Sequence, residues 1–176
     1  MNQIFLGMLF VFLDLTLNIN NCTIDFLPDF VGYILMMKGP REMESESACF
    51  TKSRPWAMGL AVYTGVLFAA DLLGISADWG FMGWVLGLAA TNASLVISYW
   101  IIKGIRQIES VRGFDLQGEK LNSLWMATAV IDGLCYLLVW VPLLGAMGAL
   151  AGFIIGICYL VAFYRTKQLY LGYTGM

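Results

Sequence analysis

The chain has 176 residues, enough for one domain; 60% are hydrophobic, 12% are charged, and the formal net charge is −2. Soluble globular domains carry roughly 45–50% apolar and about 25% charged residues, so a soluble fold of this length could not hide so much apolar surface. Histidine is absent, which removes the usual zinc ligand and the usual neutral-pH proton shuttle. No metal, cofactor or nucleic-acid partner is expected, and the first partner is the lipid bilayer.

A bilayer core of about 30 Å takes about 20 apolar residues per helix. Six stretches meet or approach that length: 4–17, 24–37, 56–75, 79–102, 124–141 and 144–164. The first has no basic residues before it and no small-residue cleavage site after it, so it reads as a retained span rather than a signal peptide. In the second, Pro28 is placed for a first helical turn, with Asp29 near the positive end of the helix dipole. Lys38-Gly39 and Lys103-Gly104 read as helix C-termini, a cation followed by glycine. Most of the six tryptophans fall near the expected interfaces, as an aromatic belt would.

Short gaps within pairs of stretches make antiparallel neighbours. The expected fold is therefore an all-α membrane protein, six transmembrane helices in three hairpins at about 4–38, 56–103 and 124–165. Loops at about 39–55 and 104–122 read as solvated linkers. All ten basic residues follow the second, fourth and sixth stretches, and the opposite loops contain none. The positive-inside rule then places both termini in the cytoplasm. Cys22, Cys49, Cys135 and Cys158 contain no CxxC pair, and four free thiols are expected.

The hairpins resemble degenerate copies of one two-helix repeat. Each carries one aspartate in its first helix, in LFVFLDLTL, VLFAADLLG and TAVIDGLCY. Counted from Asp71 and Asp132, Gly87 and Gly148 are both sixteen residues on, and Thr91 and Gly152 are both twenty on. Gly148, Gly152 and Gly156 form a small-residue stripe, with Gly83 and Gly87 a weaker one; both read as helix-packing surfaces, within the chain or between copies.

Asp14, Asp71 and Asp132 are the sharpest chemical signal. A carboxylate at mid-bilayer costs at least about 2.5–3.5 kcal/mol, and such groups face water, bind a cation or are protonated. No Lys or Arg lies inside any stretch to pair with them. Thr91, Asn92, Asn18 and Tyr136 join them as candidate binding groups. Ser94, Tyr63, Thr64 and Thr128 fall at similar depth, with interhelical hydrogen bonding as the alternative role. Asp25, Asp29 and Asp78 read as an acidic outer mouth that concentrates cations.

The stretch 24–35, IDFLPDFVGYIL, resembles one in small uncharacterised multi-pass membrane proteins of Gram-positive bacteria. That resemblance covers the first hairpin and implies a bacterial cytoplasmic membrane, with no activity attached. Size and topology also resemble the substrate-binding subunits of energy-coupling-factor vitamin transporters, but residues 4–17 lack their AxxxA-type docking motif. The chain has no GxGD, DGxxAR, HExxH or P-loop pattern, and no enzyme is expected. The leading expectation is a small transporter or channel-like protein for a cation or cationic solute. The alternatives are a solute-binding subunit of a larger transporter, and a non-transporting scaffold that acts through a partner membrane protein or a second copy of itself.

Overall fold

The computed structural model describes residues 1–12, 16–19, 22–25, 29–72, 80–138 and 142–174. Of these, only the backbone is described at 16–19, 22–25, 71–72, 80, 136–138, 142–146 and 149. Among the described residues there are six helices: α1 (Asn2–Phe12), α2 (Asp29–Glu42), α3 (Cys49–Leu72), α4 (Gly80–Arg112), α5 (Gly118–Leu138) and α6 (Pro142–Thr174).

The chain is not wholly helical. Two short strands, β1 (Thr16–Ile19) and β2 (Cys22–Asp25), pair antiparallel with Thr16 opposite Asp25 and Ile19 opposite Cys22. Of the stretch expected to be helical over 4–17, residues 16 and 17 lie on β1, and of the one expected from 24, residues 24 and 25 lie on β2. Thr16, Ile19, Thr23 and Ile24 are β-branched, which favours strand over helix. Strand pairing satisfies backbone groups that an unwound segment would otherwise leave open.

Each helix packs antiparallel against the next, and α1 closes the ring against α6. The pairings come from close side-chain meetings at matched heights. Gly39 lies against Ile4, and Gly32 against Gly7 and Val11. Phe30 meets Phe68 at 5.4 Å between ring centroids. Gly104 rests on the ring of Phe50. The Trp125 indole N–H donates to the Leu95 carbonyl at 3.0 Å. Gly148 abuts Cys135. Phe5 meets Tyr164, and Phe12 meets Tyr159, both at 5.5 Å.

The up-and-down order brings every Lys and Arg to one end of the bundle. That end is tightly packed. Ile97, Ile101, Ile105, Phe50, Phe163, Met36, Met8 and Ile4 are fully buried there. On the outer faces of α3, α4, α5 and α6, large apolar side chains such as Val62, Phe81, Val130 and Phe153 are exposed. Phe81–Arg112 and Leu150–Thr174 are long and apolar enough to cross a membrane; among the described residues no other helix meets that test.

The stretches expected to be solvated linkers are largely packed structure. α2 runs on to Glu42, α3 begins at Cys49 and α4 continues to Arg112. Met43, Leu116 and Leu121 are buried. Arg54 pairs with Glu44 at 2.9 Å, and that guanidinium holds the Glu44 carboxyl below its ordinary range. Arg112 pairs with Glu46. Glu109 accepts backbone N–H bonds from Leu116 at 2.7 Å and Gly118 at 2.8 Å, fastening the turn before α5. The buried Thr166 hydroxyl donates to the Leu116 carbonyl at 2.7 Å, tying α6 to that turn.

Gly39 and Gly104 are not helix ends. Both lie inside helices, where the missing side chain lets Ile4 and Phe50 approach. The true glycine cap is Gly113, with φ at +70°, just past α4. The glycine stripe on α6 is uneven. A side chain at Gly148 would strike Cys135, and one at Gly156 would press on Phe12; at Gly152 the nearest neighbour, Ile131, is an ordinary 3.7 Å away. Backbone meets backbone closely elsewhere, between Gly7 on α1 and Gly32 on α2. Cys49, Cys135 and Cys158 are free thiols, and the Cys22 side chain lies outside the described residues.

Candidate functional site

Above the tight basic end the ring encloses a cavity of about 360 Å3, and all six helices contribute to its wall. α1 supplies Val11 and Phe12, and α2 supplies Asp29 and Tyr33, one turn apart. Tyr63 and Thr64 face it from α3. On α4 the lining positions Gly87, Thr91, Ser94, Leu95 and Ser98 fall at helical spacing, so a single face of that helix looks inward. On α5 the same holds for Trp125, Thr128 and Asp132. Tyr159 of α6 reaches in at the level of Phe12.

The wall has one sign of charge. Among the described residues Asp29 and Asp132 are its ionisable acids, and no Lys or Arg lines it. In the closed ring α2 and α5 are separated by two helices on either side, so the two carboxyls approach from opposite walls. Around them stand hydroxyls and rings. The Tyr33 hydroxyl pairs with Ser94. The fully buried Tyr159 hydroxyl sits beside Ser98, short of hydrogen-bond geometry. Thr64 and Thr128 each donate to a carbonyl one turn back, Leu60 at 2.8 Å and Leu124 at 3.0 Å, which leaves their oxygen lone pairs able to accept.

A second space of about 160 Å3 opens on the α4–α5 seam and shares Thr91, Leu95 and Asp132 with the central cavity. Trp84, Leu88, Ala129 and Gly133 supply its apolar part. Asp132 thus stands where the cavity meets the outer face of the bundle.

Of the residues singled out in the sequence, Asp132 and Thr91 are brought together. Asp29, expected at an outer mouth, lines the cavity itself, because α2 begins at Asp29 and places it one turn from Tyr33. Asn92 does not line the central cavity; exposed on the seam, it borders the second space with Thr91 and Asp132 and donates to the Leu88 carbonyl at 2.8 Å. Gly87 lines the cavity, whereas its repeat counterpart Gly148 packs on Cys135. Asn18 and Asp25 fall on β1 and β2, Asp71 near the end of α3 and Tyr136 on α5; their side chains, like Asp14 and Asp78 entirely, lie outside the described residues. Convergence of the three repeated aspartates is therefore not among the described geometry.

Tyr33, Ser98, Trp125 and Tyr159 were not singled out as site residues. Ser94 and Ser98 continue the spacing begun by Thr91, a polar face in an apolar helix, and that signal was present.

Chemically, two carboxylates set among Phe12, Tyr33, Tyr63, Trp125 and Tyr159 suit a positively charged guest. Carboxylates supply counter-charge, and ring faces attract cations through their quadrupoles. The volume falls within the range of small-molecule pockets, about 300–1,000 Å3, and far exceeds what a bare ion fills.

The fold and the site together define a six-helix ring around an acidic, aromatic-lined cavity. No protein-family model, curated protein or solved structure matches the chain.

Proposed function

We propose that this chain is an integral membrane protein that binds and carries a small organic cation, with Asp29 and Asp132 as its counter-charges. The observation that carries the reading is the single sign of charge on a molecule-sized cavity to which every helix contributes. Two helices long enough to cross a membrane, and the exposed Val, Phe and Met side chains on the outer faces, support placement in a bilayer. On that reading all six helices span, α1 and α2 thinly, and the end that gathers all ten basic residues faces the cytoplasm with both termini. The membrane is then the bacterial cytoplasmic one.

The test uses purified protein in detergent with tetraethylammonium, guanidinium, sodium and a neutral isostere of the first. The organic cations should raise the melting temperature, and sodium and the neutral isostere should not. Equal stabilisation by the neutral isostere, or none by any cation, would remove the charge-based reading. The same cavity also suits a solute-binding subunit that needs a separate energising partner. Uptake of labelled tetraethylammonium into proteoliposomes containing this chain alone decides between carriage and binding.

A further inference from the structure

A third concavity lies outside the proposed binding site, at the basic end of the α4–α5 seam. Its volume is about 290 Å3, and it is lined by Tyr99, Lys103, Arg106 and Asn122. No carboxylate lines it, and neither Lys103 nor Arg106 forms an ion pair among the described residues. The nearby Glu109 does not line the pocket; its Oε1 accepts from the backbone N–H groups of Leu116 and Gly118. Two exposed cations thus border a pocket that contains hydrogen-bond donors and no internal anion.

The cations are positioned rather than loose. Lys103 Nζ lies 5.7 Å from the centre of the Tyr99 ring and 5.3 Å from that of Trp100. Lys52 of α3 reaches the same indole at 4.8 Å. The alkyl stem of Arg106 packs against Gly118, where a side chain would strike it, so the first residue of α5 fixes its course. Asn122, one turn further along α5, completes the far side with a neutral donor and acceptor.

The surroundings say what kind of anion fits. Leu88, Asn92, Leu95, Tyr99, Lys103 and Arg106 follow one another at helical spacing, so one face of α4 runs from the apolar seam down to the basic pocket. On α5, Asn122, Met126 and Val130 do the same, the last two exposed. The distance from Leu88 to Tyr99 along α4 is about 16 Å, the length of a substantial part of an acyl chain. A polar phosphate at one end and a mostly apolar groove leading away from it, with Asn92 and Asp132 at its edge, suits a phospholipid. Basic pockets between membrane helices at the cytoplasmic side bind anionic headgroups in this way.

We propose that the pocket of Tyr99, Lys103, Arg106 and Asn122 binds the headgroup of an anionic phospholipid, whose acyl chains lie along the α4–α5 seam. The ammonium and guanidinium take the phosphate oxygens, with Arg106 able to offer two parallel N–H groups. Asn122 and the Tyr99 hydroxyl serve the glycerol or headgroup hydroxyls.

The experiment measures binding of phosphatidylglycerol, phosphatidylcholine and sn-glycerol 3-phosphate to the detergent-purified full chain. Phosphatidylglycerol should bind at least tenfold more tightly than phosphatidylcholine. Lys103→Gln and Arg106→Gln should each weaken it about fivefold. Arg165→Gln, which removes an exposed charge of the same kind from α6, should leave it unchanged. Lys103→Arg should restore binding, since it keeps the charge. Equal binding of the two lipids, or an equal loss in Arg165→Gln, would overturn the site. If sn-glycerol 3-phosphate binds as tightly as the lipid, the lipid source is overturned in favour of a soluble phosphate. The cation-binding proposal is unaffected by any of these outcomes, because none of the four residues lines the central cavity.

Discussion

Asp29 of α2 and Asp132 of α5 face the same cavity from opposite sides of a six-helix ring, with no basic residue on the wall between them. Two like charges sharing one enclosed space repel unless a cation or a proton intervenes. A bound cation stabilises the ionised carboxylates, so protons and cation compete for them. The stabilisation given by tetraethylammonium should therefore shrink as pH falls from 8 to 5. Asp132→Asn and Asp29→Asn keep shape and much hydrogen bonding while removing charge. Each should lower the affinity at least tenfold and flatten the pH dependence, with the apo protein as stable as wild type or more so. Melting curves at the two pH values check this; a wild-type response in both variants would make these carboxyls structural.

Glycines at close crossings and glycines in open positions should respond with opposite sign. A Cβ on Gly7 would stand 2.7 Å from the Gly32 carbonyl oxygen, a backbone atom that cannot swing away. Gly7→Ala should cost about 1–3 kcal/mol through overpacking. At Gly59 on α3 nothing lies within 4 Å of the added carbon. Gly59→Ala should be neutral or stabilise by up to about 1 kcal/mol. Gly152→Ala should be tolerated as well, since Ile131 stands at ordinary contact distance. Thermal or denaturant unfolding in detergent gives all three values.

Two contacts link α6 to the turn before α5: the buried hydrogen bond from Thr166 to the Leu116 carbonyl at 2.7 Å, and the stacking of Tyr173 on Phe114 at 4.3 Å. Thr166→Val preserves shape and deletes the donor. The stranded carbonyl should cost about 1–3 kcal/mol. Proteolysis should also become faster at residues 113–117, where the backbone is held by this bond and by Glu109. Unchanged stability would mean that water replaces the hydroxyl at no cost.

Topology is open to labelling in a cysteine-free background. Cysteine introduced at Ser76 or Gly145 should react with an impermeant thiol reagent in intact cells. Cysteine at Ser45 or Ser110, both exposed at the basic end, should react only after the membrane is opened. Labelling of the second pair in intact cells would reverse the orientation given by the ten basic residues.

What was legible in the sequence was the helical repeat of apolar stretches, the antiparallel order and the gathering of basic charge. What was not legible had local causes. Gly39 and Gly104 look like helix ends because glycine after lysine usually is one; only the positions of Ile4 and Phe50 reveal them as close approaches. The β1–β2 hairpin was hidden in a segment read for bilayer length rather than for its β-branched residues. Asp29, read in the sequence as part of an outer mouth, lines the cavity because it shares a helix face with Tyr33 one turn on. Tyr159 was invisible as a site residue because its ring is a core ring; only its height, opposite Phe12 and beside Ser98, brings its hydroxyl to the cavity.

The dense packing at the basic end has a consequence for how anything could cross. Ile97, Ile101, Met36, Phe163 and Phe50, with Tyr159 at the cavity edge, are buried side chains packed together between the cavity and the lysines and arginines. A passive pore needs a continuous wet path, and this plug of large side chains does not offer one. Passage would require helices to separate at that gate in every cycle. Reconstituted into a planar bilayer, the protein should show no steady conductance, and its flux should saturate at a rate set by the opening of the gate rather than by diffusion.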